Sequence, residues 1–179
     1  MKKILIISGS LIMAFLLYVV YMISNPVSPK ETVNFNSDLS EIEVVYSRPY
    51  KKDRLIFGDE AAGALVPFGK YWRTGANAAT TFETSNEISF NGQKLKAGKY
   101  SLYTFPGKEE WKVVLNSEND TFFAISEPDY TKDVLKTIAK SVVDSKNVVE
   151  QFTIRFSENS EGADMFLVWD TTTVTITIN

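Results

Sequence analysis

The chain contains neither cysteine nor histidine. Without them it has no Ser-His-Asp or Cys-His nucleophilic site and none of the usual zinc, copper, haem or iron–sulfur ligand sets. Acid–base work falls to carboxylates, lysine or tyrosine, and no cofactor or metal is expected. The missing thiols also remove disulfides and the lipid-attachment residue of a bacterial lipoprotein, so stability has to come from the core. Runs of basic residues are lacking too. The net charge is −3, and setting aside Lys2 and Lys3 leaves the remainder more acidic still, a poor balance for binding nucleic acid.

Long hydrophobic runs are absent with one exception. Ile4 to Ile23 carries no charge and follows Lys2 and Lys3. At about 1.5 Å of helical rise per residue, such a run crosses a hydrocarbon core of roughly 30 Å. The paired lysines favour an N-terminus in the cytoplasm. The reading is a single pass through a bacterial inner membrane, with residues 4–23 as the contact with lipid and the rest of the chain in the periplasm. Secretion after signal-peptide cleavage is the alternative, because Ser8, Gly9 and Ser10 shorten the apolar core to Leu11–Ile23. Against cleavage, residues 21–26 offer no clear small-x-small site. The expected organisation is an anchor or signal segment over 1–24, an extended tether over 25–34 holding Pro26 and Pro29, and one domain over 35–179.

In that domain, short runs alternate apolar and polar side chains, the pattern of half-buried strands. Ile42, Val44 and Tyr46 form one such set. Ile88 and Phe90 lead into Asn91-Gly92, whose residues tolerate positive φ and so mark a tight hairpin, with Leu95 on the return arm. Tyr100 to Phe105 and Trp111 to Leu115 flank Pro106-Gly107. Phe152, Ile154 and Phe156, then Met165, Leu167 and Trp169, then Val174, Ile176 and Ile178 repeat with a period of two. Asp133 to Val143 is ambiguous: Val134, Leu135 and Ile138 would share a helical face, while Thr137, Val142 and Val143 suit a strand. Its neighbours favour strand. Short strands without intervening helices predict an all-β, antiparallel β-sandwich, of which a jelly roll is one form.

Four stretches carry a family resemblance: Tyr46-Ser47-Arg48-Pro49; Ile56-Phe57-Gly58; Leu65-Val66-Pro67-Phe68-Gly69-Lys70-Tyr71-Trp72-Arg73-Thr74-Gly75-Ala76-Asn77; and Leu95-Lys96-Ala97-Gly98-Lys99-Tyr100-Ser101-Leu102. Trp111 to Asn116 and Phe166 to Trp169 also fit. The chain resembles, from about Phe35 onward, the bacterial family catalogued as domain of unknown function 2911 (DUF2911), common among exported proteins of the Bacteroidetes group. The resemblance implies an exported all-β domain and supplies no activity. Where relatives carry a Trp-Gly pair after Asn116, this chain has Asn119-Asp120-Thr121-Phe122-Phe123.

The candidate ligand-binding residues are Arg48, Trp72, Arg73, Thr74 and Asn77; none is assigned a catalytic role. Adjacent residues of an extended segment face opposite ways, so Trp72 and Arg73 diverge, while Gly75 and Asn77 suit a tight turn. An Arg fork beside amide and hydroxyl groups grips a carboxylate, phosphate or sugar, with an aromatic face for stacking. The competing reading has Trp72 in the core and Arg73 tying down loop carbonyls. Arg48 is aimed by Pro49, which holds its backbone extended, and an inter-strand ion pair is its competing role. The function expected is binding of a small ligand, a glycan or an envelope partner. The alternatives are a carboxylate-dependent hydrolase using Asp59 and Glu60, or a structural envelope protein with no small ligand. Asn116-Ser117-Glu118-Asn119-Asp120 has calcium-type oxygens without calcium-loop spacing. Tyr103, Phe105 and Trp111 are either an aromatic platform or core.

Overall fold

Period-two alternation buries every second side chain of a strand, and the burial of Ile42–Tyr46, Asp133–Lys140 and Thr172–Ile178 follows it, whereas Tyr100–Thr104 are buried on both faces. The structure, a computed structural model, describes residues 2–25, 27–37, 40–119 and 126–179. Helix α1 (Lys2–Ser24) is followed by thirteen strands: β1 (Lys30–Asn36), β2 (Glu41–Ser47), β3 (Phe57–Gly58), β4 (Val66–Pro67), β5 (Thr80–Thr84), β6 (Ile88–Phe90), β7 (Gln93–Leu95), β8 (Gly98–Phe105), β9 (Glu110–Asn116), β10 (Asp133–Val143), β11 (Val149–Asn159), β12 (Gly162–Asp170) and β13 (Thr172–Ile178). Asp133 to Val143 is therefore strand. Its exposed Val134 and Ile138 alternate with buried Leu135, Thr137 and Ala139.

Nine strands lie on one path, β1-β2-β5-β8-β9-β10-β13-β12-β11, with antiparallel pairing throughout. β10 is the corner. Asp133 to Lys140 pair with β9, whereas Ser141 to Val143 pair with β13, so the sheet folds over on itself. The β6–β7 hairpin fills the space this leaves: Asn91 Nδ2 donates to Thr137 Oγ1 and Ile138 O, and Gln93 Nε2 to Lys136 O. Asn91 and Gly92 have φ of 48° and 81°, both positive as the tight turn requires. As the alternation predicts, the chain is mostly antiparallel β, in a large and nearly closed sheet.

The path nearly closes where β2 meets β11. Tyr46 Oη accepts the Ile154 N–H at 2.8 Å and donates to Ile154 O at 3.4 Å. The Phe152 N–H donates to Pro49 O at 2.9 Å, and Phe35 stacks on Phe156 with centroids 5.5 Å apart. Inside, Val44, Phe82, Leu102, Val113 and Leu115 meet Phe152, Ile154, Met165, Leu167, Val174 and Ile176 in one core. At one end of this core Phe57, Trp72, Trp111, Phe152 and Trp169 form an aromatic cluster with centroid spacings of 4.9 to 6.0 Å.

Of the stretch read as a tether over 25–34, the last five residues belong to β1, paired with β2 from Lys30↔Ser47 onward. Glu31 hid the pattern, a charged residue on the half-buried face that it shares with Val33 and Phe35. In α1 the apolar side chains from Ile7 to Met22 point outward on every side, with all but Val19 largely exposed. Among the described residues no helix is long and apolar enough to cross a membrane.

Candidate functional site

The chain leaves β4 at Pro67, turns through Gly69, and reaches Trp72 as an isolated bridge to β8: Trp72 N–H donates to Thr104 O at 2.8 Å and Thr104 N–H to Trp72 O at 2.9 Å. That pairing turns Trp72 inward and Arg73 outward. Trp72 is 8% exposed, and its Nε1 donates to Gly75 O at 3.1 Å. Thr74 is fully buried with φ of 54°; its hydroxyl donates to Thr104 Oγ1 and Trp72 O, and its carbonyl accepts from Thr80 Oγ1 at 2.7 Å. Gly75 is needed here. Its φ is 155°, and a Cβ would stand 3.0 Å from Ser47 O and 3.1 Å from Thr80 Oγ1. Asn77, at φ of 60°, donates from Nδ2 to Ser28 O at 3.2 Å and accepts on its carbonyl from Arg73 Nη1 at 2.9 Å.

This turn forms one wall of a cleft of about 580 Å³. Tyr50, Lys52 and Arg54 line it from the loop after β2, Leu65 and Val66 from the β4 segment, Trp169 from β12, and Val27 and Ser28 from the stretch after α1. Among the described residues, Lys52, Arg54 and Arg73 are its charged lining, with no carboxylate beside them. Arg54 is braced by the loop it belongs to, its Nε donating to Lys51 O and its Nη2 to Tyr50 O. Lys52 keeps its ammonium out of any ion pair described, although its backbone N–H donates to Glu150 Oε1 at 2.7 Å. Lys51 is paired with Asp170 at 3.2 Å. The cleft thus combines cations and aliphatic rim residues over the largely buried Trp72 and Trp169, a lining suited to an organic anion.

Of the five sequence candidates, Trp72, Arg73 and Asn77 come together on the cleft. Thr74 lies beneath it, buried in hydrogen bonds to β8. Arg48 is not in the lining. It donates from Nε to Phe152 O at 3.0 Å and from Nη2 to Thr153 Oγ1 at 2.8 Å, and pairs with Glu31 through Nη1. Those bonds fasten β1 and β2 to β11. The inter-strand role open for Arg48 from the sequence is the one it fills. Lys52, Arg54 and Trp169 escaped sequence reasoning because they are remote along the chain from the Trp72 turn. The Lys51-Lys52-Asp53-Arg54 run is the signal available, and by itself it reads as a solvated loop.

The other candidates are dispersed. Asp59 and Glu60 sit on an exposed 3-10 turn, Glu60 paired with Lys70 at 3.2 Å, and neither lines any of the clefts described. Asn116 is fully buried, its amide donating to Asp129 O and Asp133 Oδ1 and its oxygen accepting from Glu118 N–H. Among the described residues no acidic group of three or more gathers to hold a metal. Asp120 to Phe123 lie outside those residues. The aromatic trio divides between the two faces of the sheet. Trp111 joins the core cluster, while Tyr103 and Phe105 meet Tyr71 and Tyr130 on the other side. There Tyr103 donates to Asp133 Oδ1 at 2.5 Å. Burial, then the Asp133 hydrogen bond, push the Tyr103 phenol far above its ordinary range. Burial opposes ionisation of Asp133 as well, but hydrogen bonds from Tyr103, Asn116 and Lys136 outweigh it and hold the carboxyl below its usual value.

Nothing among curated proteins and nothing among solved structures matches this chain. Residues 28–178 match the family described as "Protein of unknown function (DUF2911)". That range opens just before β1 and closes at the end of β13, so it takes in the whole sheet, the Trp72–Asn77 turn and most of the cleft lining. The chain belongs to the DUF2911 family.

Proposed function

We propose that this protein is a membrane-tethered, exported binding module whose cleft beside Trp72 to Asn77 takes a small organic anion. The observation that carries the proposal is the lining of that cleft: Lys52, Arg54 and Arg73 around Trp72 and Trp169, with no carboxylate among the lining residues. A guanidinium fork beside an indole face suits a carboxylate, phosphate or acidic sugar whose body stacks on the ring. Arg73 has one nitrogen on Asn77 O, which steadies the fork, and the residue lines the cleft. With no carboxylate in the lining and no histidine in the chain, acid–base work there rests on a lysine or tyrosine, and binding is favoured over hydrolysis.

Tethering is read from residues 4–23, which insert in the bacterial inner membrane and leave the sheet in the periplasm. Its support is the outward-facing apolar surface around α1, which seeks an apolar medium. A sandwich-like flattening of the nearly closed sheet belongs to the same reading. Its support is the meeting of β2, β5, β8 and β9 side chains with those of β11, β12 and β13 in one core.

Two measurements test these statements. A thermal-shift screen of the full chain in detergent against carboxylates, organic phosphates and uronic acids is expected to yield stabilising compounds whose effect Arg73→Ala removes. No shift with any anion, together with an unchanged Arg73→Ala protein, sinks the binding reading. Intact mass of protein from the membrane fraction is expected to include residues 4–23; a shortened, fully released protein overturns the tether.

A further inference from the structure

The stretch after α1 does not drift away from the domain. Ser28 O accepts from Asn77 Nδ2 at 3.2 Å, Pro29 O accepts from the Arg48 N–H at 2.8 Å, and Val27 and Ser28 line the cleft themselves. Helix α1 ends at Ser24. The three residue steps from Ser24 to Val27 reach at most roughly 11 Å even fully extended. The cleft rim is therefore held within that distance of the last turn of the helix, by two residues of the sequence motifs themselves.

The rim has a second property that a site for a water-soluble anion does not require. Val27 is 64% exposed, Leu65 44% and Tyr50 39%, and all three lie in the lining beside Lys52, Arg54 and Arg73. Apolar side chains interleaved with cations beside a membrane-inserting helix are the composition of an interfacial surface, where aliphatic groups meet acyl chains and cations meet acidic headgroups. The counter-charges nearby are few. Asp170 is engaged by Lys51, the Glu150 carboxylate accepts from the Lys52 backbone, and Asp53 is exposed on the same loop.

We infer that the ligand of this cleft is an acidic amphiphile of the same bilayer: a phosphate or carboxylate head held by Arg73, Arg54 and Lys52, with its first methylenes along Val27 and Leu65. The inference rests on the anion-binding and tethering readings above and adds the source of the anion. A volume of about 580 Å³ takes a headgroup and a short length of chain, so the tails stay in the bilayer and the protein reads headgroups without extracting lipid.

The test uses the full chain reconstituted in phosphatidylcholine nanodiscs containing a small fraction of phosphatidylglycerol. One or the other lipid is brominated on its first acyl carbons, and tryptophan emission, from Trp72, Trp111 and Trp169 together, is followed. Brominated phosphatidylglycerol is expected to quench more than brominated phosphatidylcholine at equal fraction. Each cation near an acidic surface is worth a factor of about five in local lipid preference, so Arg73→Ala and Lys52→Gln should each lower that preference by about this factor. Lys52→Gln guards against a folding artefact, since that side chain is exposed and unpaired among the described residues. Equal quenching by the two lipids in the wild-type protein overturns the inference. If quenching by phosphatidylglycerol is abolished by low concentrations of free glycerol phosphate, the cleft takes soluble headgroups; the lipid source then fails while anion binding stands. If no lipid preference and no binding of any free anion is found, the cleft reading fails with it.

Discussion

Arg48 and Arg73 are each a motif arginine at the end of a strand segment, yet they end in opposite circumstances. Arg48 has its guanidinium answered on all sides by Phe152 O, Thr153 Oγ1 and Glu31, at the seam where the sheet nearly closes. Arg73 gives one nitrogen to Asn77 O and lines a cleft. The seam is built so that edge-strand groups find partners: the Tyr46 hydroxyl serves both the N–H and the carbonyl of Ile154. The cleft next to it leaves cationic groups without acidic partners in its lining. Residues that look equivalent as motif members thus divide into those that close the fold and those that face outward from it.

The comparison breaks most severely at the residue the two regions share. Trp72 packs on Phe152 of the seam strand at 5.0 Å and also floors the cleft. Trp72→Ala is expected to cost about 3 to 5 kcal/mol of folding stability and to abolish ligand binding, as read by denaturant melts and titration. A loss below 1 kcal/mol would mean that the aromatic cluster does not organise this end of the core.

Alkaline pH probes the seam through Tyr46, and comparison with Tyr46→Phe separates its part from that of the other raised tyrosines, such as Tyr103 and Tyr130. Burial, only partly offset by the Ile154 hydrogen bond, raises the Tyr46 phenol from its ordinary 10.0 to about 12. The neutral phenol is thus favoured in the folded state. Its contribution is fully present below pH 10 and is lost as pH rises through about 12. The loss over that window is on the order of 2 to 3 kcal/mol. Tyr46→Phe is expected to be less stable at neutral pH, with the Ile154 N–H left unpaired, and to show a flatter fall above pH 10 than wild type in paired melts.

Arg48→Ala should remove about 2 kcal/mol of stability, discounted somewhat because the side chain is a quarter exposed, while leaving ligand affinity at the cleft unchanged. Arg73→Ala should do the reverse: a stability change within about 0.5 kcal/mol and a loss of roughly tenfold in affinity. Calorimetric titration and thermal melts on the two variants read this pair directly. Identical behaviour of both would erase the distinction between seam and cleft.

Strands with apolar inward faces, such as those of Phe152-Ile154 and Met165-Leu167-Trp169, were legible from alternation, as was the Asn91-Gly92 turn from its dipeptide. β5 was not. Its buried positions are Thr80, Phe82 and Thr84, and the threonines are satisfied by Thr74 O and Asn86 O, so a strand with a buried face reads as polar. β1 escaped for a related reason, its half-buried face carrying Glu31 in the ion pair with Arg48. The closure of the sheet depends on the bend of β10 and on side chains reaching across the seam, and neither has a local signature. In the candidate site, the outward turn of Arg73 followed from its neighbour facing inward. The participation of Lys52, Arg54 and Trp169 is a product of tertiary folding alone.

The hydrogen bonds that hold Ser28 and Pro29 have a mechanical consequence. Tension on α1 enters the domain at these two carbonyls, before it reaches the β1–β2 ladder at Lys30 and Ser47. Asn77 carries part of that load, and its own carbonyl is the brace of the Arg73 fork. A pull on the helix would thus reach the wall of the cleft through the same asparagine that braces the Arg73 fork.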